Sequence, residues 1–552
     1  MGRKPGFVRS SRGSNKQQNA QTGPNITFSR YQDYYDYGTK KETDGERFAV
    51  SDIEKAMNCY YDALTCYQKG IQVFQQNANM LQGDLTNYQN IWYNYLRLLF
   101  YLLDEYKFVS GSVDILKYLP DNYVKKEMKD LVFDKENIIM DLYKSYNDCK
   151  NIIPLSEDTW DFYFNHMEFL NSFIEWYNNN NTNNNDITNM DLLLEALKDQ
   201  QITFNQLISL QMNVLMQYIN NNNHINNNNS TDPVIQANMS LQKDIKFKIN
   251  NENDNYAETM SNLTLSTFLE TYLIVFKSIR NVLESIHQNG NKTDLDHNIN
   301  VLNDLRSLHN NYASQYSDFT NSMNSYDLKQ ELEPNLLTEI DCTLKLNNIL
   351  FNITNPVEIE LTIKNELIQI TEIQDNIDAN VALLVIDQWD TFLELIMPID
   401  DVLKAIQTKT ILDKTQTQLA DLYSWESKWN LTMILNKLTN TVNKQLSNKI
   451  KTTIQKTKSF SSDCCNLSEI LQSKSDLEIK RAYLKSIPDT EGNTNSNEYS
   501  ILLKNSVAYL KNSIAYIQFD MGLNESINDK LYRQYLLNDS QEKLKQLEQI
   551  PL

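Results

Sequence analysis

Apolar positions near the start of the chain recur with a helical period. Between residues 51 and 77 they fall at Ile53, Met57, Tyr60, Leu64, Tyr67, Ile71 and Phe74, in steps of three and four. That spacing turns one stripe toward a partner helix and predicts an amphipathic helix over 51–77. Ser51 and Glu54 stand at its start with the spacing of a capping box. A first helix is predicted over 31–47. A third, over 85–106, is apolar nearly all round through Trp92, Tyr95, Leu96 and Leu99, so it is expected to be buried on several sides.

Similar stripes continue down the chain. Pro120 and Pro154 bracket a pair of shorter helices, and Trp160, Tyr163, Met167, Leu170 and Ile174 mark the next. A helix over 190–219 lies between two asparagine tracts, which cannot bury apolar surface and are read as loops. Further helices are predicted over 259–288, 295–326, 335–351 and 370–397, where Pro398 stops or kinks the last. Helices over 403–423, 425–457, 476–487, 498–520 and 524–549 complete the reading. Residues 461–465, small and polar, read as a loop. Residues 357–363 read as a helix start after Pro356, with an alternating strand as the other option. The chain thus divides into a disordered basic tail (1–30), N-terminal helical repeats (31–177), an Asn-rich insert around one helix (178–257) and a C-terminal helical region (258–552).

Composition supports an all-α fold: only 12 Gly and 10 Pro interrupt 552 residues. The 51 Lys and Arg against 71 Asp and Glu give a net charge of −20. Residues 1–31 carry six basic and no acidic side chains, so the remainder is more acidic still. An acidic body repels nucleic acid and attracts basic clients at long range. No apolar segment opens the chain and none reaches the ~20 residues of a span, so neither a signal peptide nor membrane insertion is expected. The six cysteines form no C-x-x-C pair and are expected as thiols in the cytoplasm or nucleus.

The residues offer little chemistry. G-x-S-x-G and a Gly-rich phosphate loop are both missing, and none of the five histidines sits in a nucleophile setting. His166, among aromatics, reads as a packed core residue. Asp294, Asp296 and His297 have no second histidine four residues away and read as a helix cap, not a metal site. No catalytic residue, metal or cofactor is expected, and the chain is read as a non-enzyme. Arg3, Lys4, Arg9 and Arg12 in the tail are candidate contacts to nucleic acid or to an import receptor.

Ala56, Tyr60 and Ala63, small, aromatic and small at offsets of four and three, resemble the second helix of a tetratricopeptide repeat. Tyr34, Tyr37, Gly38 and Gly45 are landmarks of its first helix, and Trp92 and Tyr95 of the next. Ala508 and Ala515, seven apart, are a fainter echo. The resemblance implies a stacked helix-hairpin solenoid that binds partners. The family's chaperone-binding clamp is not carried over, because Lys40, Lys41 and Asn94 do not reproduce its register. The block Gly45-Glu-Arg-Phe48 and Ser51-Asp-Ile-Glu-Lys-Ala56 also resembles a fungal family to which no function attaches. The expected function is a noncatalytic adaptor or assembly chaperone holding a basic protein client on an acidic concave surface. The alternative is an RNA-associated factor acting through the basic tail. The sequence sets neither the client nor the oligomeric state.

Overall fold

Period-3.6 patterning without turn residues yields helices, and helices are what the chain forms. The computed structural model describes residues 27–49, 51–77, 85–108, 115–121, 123–135, 137–156, 159–180, 188–227, 265–289, 295–325, 334–353, 379–408, 423–455, 457–486, 496–519 and 527–550, with Ile359, Leu361, Thr362, Met521 and Glu525. The basic tail residues Arg3, Lys4, Arg9 and Arg12 and the Asp294 of the candidate cap lie outside them. Among the described residues there is no strand. Ile359, Leu361 and Thr362 are helical, as the helix reading of that segment requires.

The helices are α1 (Tyr31–Ala49), α2 (Ile53–Asn77), α3 (Leu85–Leu103), α4 (Tyr123–Met128), α5 (Ile138–Cys149), α6 (Trp160–Asn180), α7 (Thr188–Asn227) and α8 (Leu265–Asn289). They continue as α9 (Leu295–Ser325), α10 (Pro334–Phe351), α11 (Ala379–Ile396), α12 (Ile399–Thr408), α13 (Trp425–Thr452), α14 (Lys458–Ser486), α15 (Ser496–Ile517) and α16 (Ile527–Glu548). Each packs on helices close to it in the chain: α1 on α2, α6 on α7 and α8, α8 on α10, α11 on α13, and α14 on α13 and α15. This is the serial stacking of a helical solenoid, in which neighbours bury each other's apolar stripes. One apolar core runs through it from Tyr31 to Ile550.

The first hairpin shows how the sequence sets the spacing. Gly38 and Gly45 of α1 lie seven residues apart and face Tyr67 and Tyr60 of α2, also seven apart. A Cβ on Gly38 would stand 2.5 Å from Tyr67 Cε1, and one on Gly45 2.6 Å from Tyr60 Cε1. The missing side chains are therefore the sockets into which the two rings fit. Ala56 and Ala63 are fully buried beside them. Glu42 is also buried here, accepting a hydrogen bond from Tyr67 Oη at 2.7 Å and pairing with Arg97 of α3. The cap of α2 falls one residue later than the capping-box spacing suggests. Asp52 Oδ1 accepts from the Lys55 amide at 3.1 Å, while the Ser51 amide donates to Phe48 C=O and closes α1.

The second hairpin corrects two sequence readings. Residues 461–465 are not a loop; they lie inside α14. Ser461, Cys464 and Cys465 are buried because small side chains are what this contact needs. Ser468 Oγ meets Ser513 Oγ at 2.6 Å, and Ser475 Oγ meets Ser506 Oγ at 2.6 Å, so α14 and α15 are antiparallel with small residues matched every seven. Ser540 of α16 joins at 3.0 Å from Ser513 Oγ. The small residues at the contact are thus Ser506 and Ser513, whereas Ala508 and Ala515 face solvent. A further difference lies in α7, which runs past Ile219 through Asn220–Asn223 to Asn227. Asparagine is only a middling helix former, but a helix already nucleated extends through it at small cost.

His166 is buried between Tyr146, at 5.1 Å between ring centroids, and Phe162 and Phe169, each at 6.5 Å. Burial, with the charge of Lys150, holds its imidazole well below the usual 6.5, so it is neutral.

Gly38→Ala should cost about 1–3 kcal/mol in urea unfolding, through displacement of the Tyr67 ring. The His166 imidazole makes stability fall as pH drops below about 6.5, because only the unfolded chain then takes up its proton. His166→Phe should remove that contribution. Between about pH 6.5 and 5 the variant should lose less stability than the parent, by up to about 1.4 kcal/mol per pH unit, read from urea midpoints.

Candidate functional site

The residues singled out near the N-terminus come together as packing. Tyr34 is buried, and its hydroxyl accepts from the Phe28 amide at 3.0 Å. Tyr37 is half-buried beneath the Lys41 ammonium, which also pairs with Asp62 at 2.7 Å. Tyr95 Oη accepts from Gln68 Nε2 at 3.0 Å, Trp92 stands edge-on to Tyr95, and Asn94 is buried. Tyr34, Gly38, Gly45, Ala56, Tyr60, Ala63, Trp92 and Tyr95 therefore pack in or against the α1–α3 core, while Tyr37 meets Phe28 at its edge. Two clefts of about 430 and 420 Å³ lie elsewhere. One, by α10, holds Asp341 and Lys345; the other, between α7, α8 and α9, holds Asp318 and Tyr272. Among the described residues no three His, Cys, Asp or Glu side chains gather in a metal-binding group. The six cysteines are unpaired, and burial pushes Cys464 and Cys465 up to about 11 and 12.

A different constellation links five helices. Asp104, in the π turn that extends α3, lies within electrostatic reach of Glu105 and of Glu175 on α6. Glu284 on α8 feels both Glu175 and Asp387 on α11. Asp387 in turn acts on Asp390 and on Glu469 of α14, and Asp390 acts on Asp476. The result is a ladder of carboxylates drawn from α3, α6, α8, α11 and α14. Burial, with Glu105 and Glu175 adding their charge, lifts Asp104 to about 6. Burial likewise raises Glu284, Asp390 and Glu469 against the partial relief of Arg280, Lys480 and the Tyr532 hydroxyl respectively. Burial is the first cause at each of them, and it disfavours the charged form more than the nearby donors favour it.

At its C-terminal end the ladder is tied to bases. Lys480 is buried and pairs with Glu394, whose other oxygen accepts the Ile399 amide at 2.7 Å and so caps α12 after Pro398. Lys543 of α16 bonds Asp476 at 2.9 Å and Asp539 at 3.2 Å. Asp476 is lifted to about 6 by burial despite that ammonium, and its Oδ1 has no hydrogen-bond partner. Ladder members that act on one another from different helices stand 71 to 109 residues apart and leave no spacing signal in sequence. Only the acidic balance pointed to them.

Lys543→Met should destabilise the fold by about 3–5 kcal/mol, because it strands a buried carboxylate. Adding Asp476→Asn should recover most of that loss, as read by denaturant midpoints.

No curated protein matches the chain. Residues 398–551, which hold α12 to α16 and so the anchored end of the ladder, match the family model described as the YNL193W C-terminal domain.

Proposed function

We propose that the chain is a noncatalytic helical-repeat adaptor or assembly chaperone, in which the carboxylate ladder holds a basic segment of a protein client. The observation that carries this reading is the gathering of carboxylates from five helices, with burial weakening the acidity of Asp104, Glu284, Asp390, Glu469 and Asp476. A client rich in Lys and Arg brings further cations, which favour the ionised form of these groups. The serial, tetratricopeptide-like stacking of helices suits an extended client, since each added helix lengthens the contact. Charge of this kind mainly sets association rate and partner choice.

The test is titration of the full chain with a defined Lys/Arg-rich peptide at low salt. Glu175→Gln, Glu284→Gln and Asp387→Asn combined should weaken binding by about tenfold or more. Binding should also tighten as pH rises to about 6 and level off above it. Asp104 loses its proton in that range, and the bound cations favour the ionised form. Equal affinity of parent and triple variant, or affinity flat across that range, overturns the reading.

A further inference from the structure

Charge is not spread evenly over this acidic chain. Residues 425–458 hold seven Lys and one acidic residue, Glu426. Across residues 425–519 thirteen Lys and Arg face eight Asp and Glu, a surplus of five in a chain of net −20. Those among the described residues lie on one three-helix layer. Helix α14 runs antiparallel to both α13 and α15, so α13 and α15 run parallel on either side of it.

One face of α14 is the floor between them, with Lys474, Glu478, Arg481 and Lys485 at helical spacing. Lys474 bridges the two walls: its Nζ donates to Asn440 Oδ1 of α13 and lies 4.3 Å from the Tyr509 ring centroid of α15. Arg481 and Lys485 lie 5.1 and 4.6 Å from the Trp429 ring of α13. Trp429 stacks on Trp425 at 5.5 Å and 6°, and Trp425 is 43% exposed, anchored by its indole N–H on Leu484 C=O at 2.9 Å. At the far end Phe519, 44% exposed, packs on Tyr516 and Phe460. Above the floor Lys437, Lys444 and Lys451 follow one another every seven residues on the exposed side of α13, spaced about 10 Å apart by the helical rise. None of the three has a carboxylate partner among the described residues. Asn440 and Asn448 of α13, and Asn505 and Asn512 of α15, are exposed beside them.

We propose that this face binds single-stranded RNA. A row of unpaired ammoniums matches a phosphate backbone. Exposed aromatic rings at the two ends give bases a stacking surface. The amides between the lysines are donors and acceptors for the 2′-hydroxyl and base edges. An acidic peptide satisfies the lysines but leaves the rings and amides without a role. The proposal stands independently of the carboxylate ladder, since it uses a separate set of residues of opposite charge.

The experiment is fluorescence anisotropy of a labelled single-stranded oligouridine with the full chain, across about 50 to 200 mM salt. The comparison is the Lys437→Gln/Lys444→Gln/Lys451→Gln triple variant, with Lys→Arg at the same three positions as a charge-retaining control. These side chains are on the surface, and unchanged circular dichroism checks that the fold is kept. The Gln variant should bind about tenfold or more weakly, and the slope of log affinity against log salt should shrink by about two. The Arg control should bind like the parent. The basic tail is present in every form, so it cannot produce the difference. Absence of RNA binding, equal binding by the Gln variant, or preference for a polyglutamate peptide over the oligonucleotide overturns the proposal.

Discussion

Close approach of paired helices through small residues repeated every seven is the constraint on which the fold rests. At the N-terminal hairpin glycine supplies the space and tyrosine rings fill it. At the C-terminal hairpin serine faces serine, and each hydroxyl finds a partner in the other helix. The two solutions differ in chemistry but serve one need, a short interaxial distance that places the larger apolar side chains of each helix into its neighbour. A glycine socket makes the contact intolerant of added volume. A hydroxyl pair makes it intolerant of a lost partner, since a buried donor left alone carries its full desolvation penalty. Between these ends the same stacking logic proceeds with ordinary aromatic and aliphatic contacts.

Stacking in series also decides where charge collects. Each helix offers its neighbours an apolar stripe and leaves a polar edge. Between α3, α6, α8, α11 and α14 the polar groups that come within reach of one another are carboxylates. On α13 they are lysines and amides. The two sets approach one another at α14, where Lys480 and Lys543 meet Glu394 and Asp476 on one side and Lys474, Arg481 and Lys485 occupy another. Helix α14 is the longest in the C-terminal group, and its polar side chains serve four different neighbours: α11, α13, α15 and α16. The span that matches the YNL193W C-terminal domain is built around this helix.

Much of the fold is legible in the residues, and the exceptions have physical causes. The stripe Met57, Tyr60, Leu64 and Tyr67 identifies α2 because each apolar side chain there is buried. Residues 461–465 mislead because Ser and Cys are small: their polarity suggests a loop, while their size suits a tight contact, and size decides. For the same reason Ala508 and Ala515 draw the eye although Ser506 and Ser513 make the contact. The cap at Asp52 and the capping-box spacing at Ser51 compete for one helix start, and the carboxylate one residue closer wins. Carboxylates that meet from five helices leave no local pattern. The lysine surplus at 425–458 is different, since it stands in plain view and is hidden only by averaging charge over the whole chain.

The local character of the packing has a consequence for how the chain acquires its structure. Contacts made mostly between elements near in sequence require little loop closure before they are rewarded, which favours rapid folding. The glycine–tyrosine hairpin uses only residues 31–77, so its partners are all synthesised early and can dock before the serine-matched helices exist. Assembly of this molecule can then proceed from one end to the other, each helix meeting a surface already prepared by its predecessor.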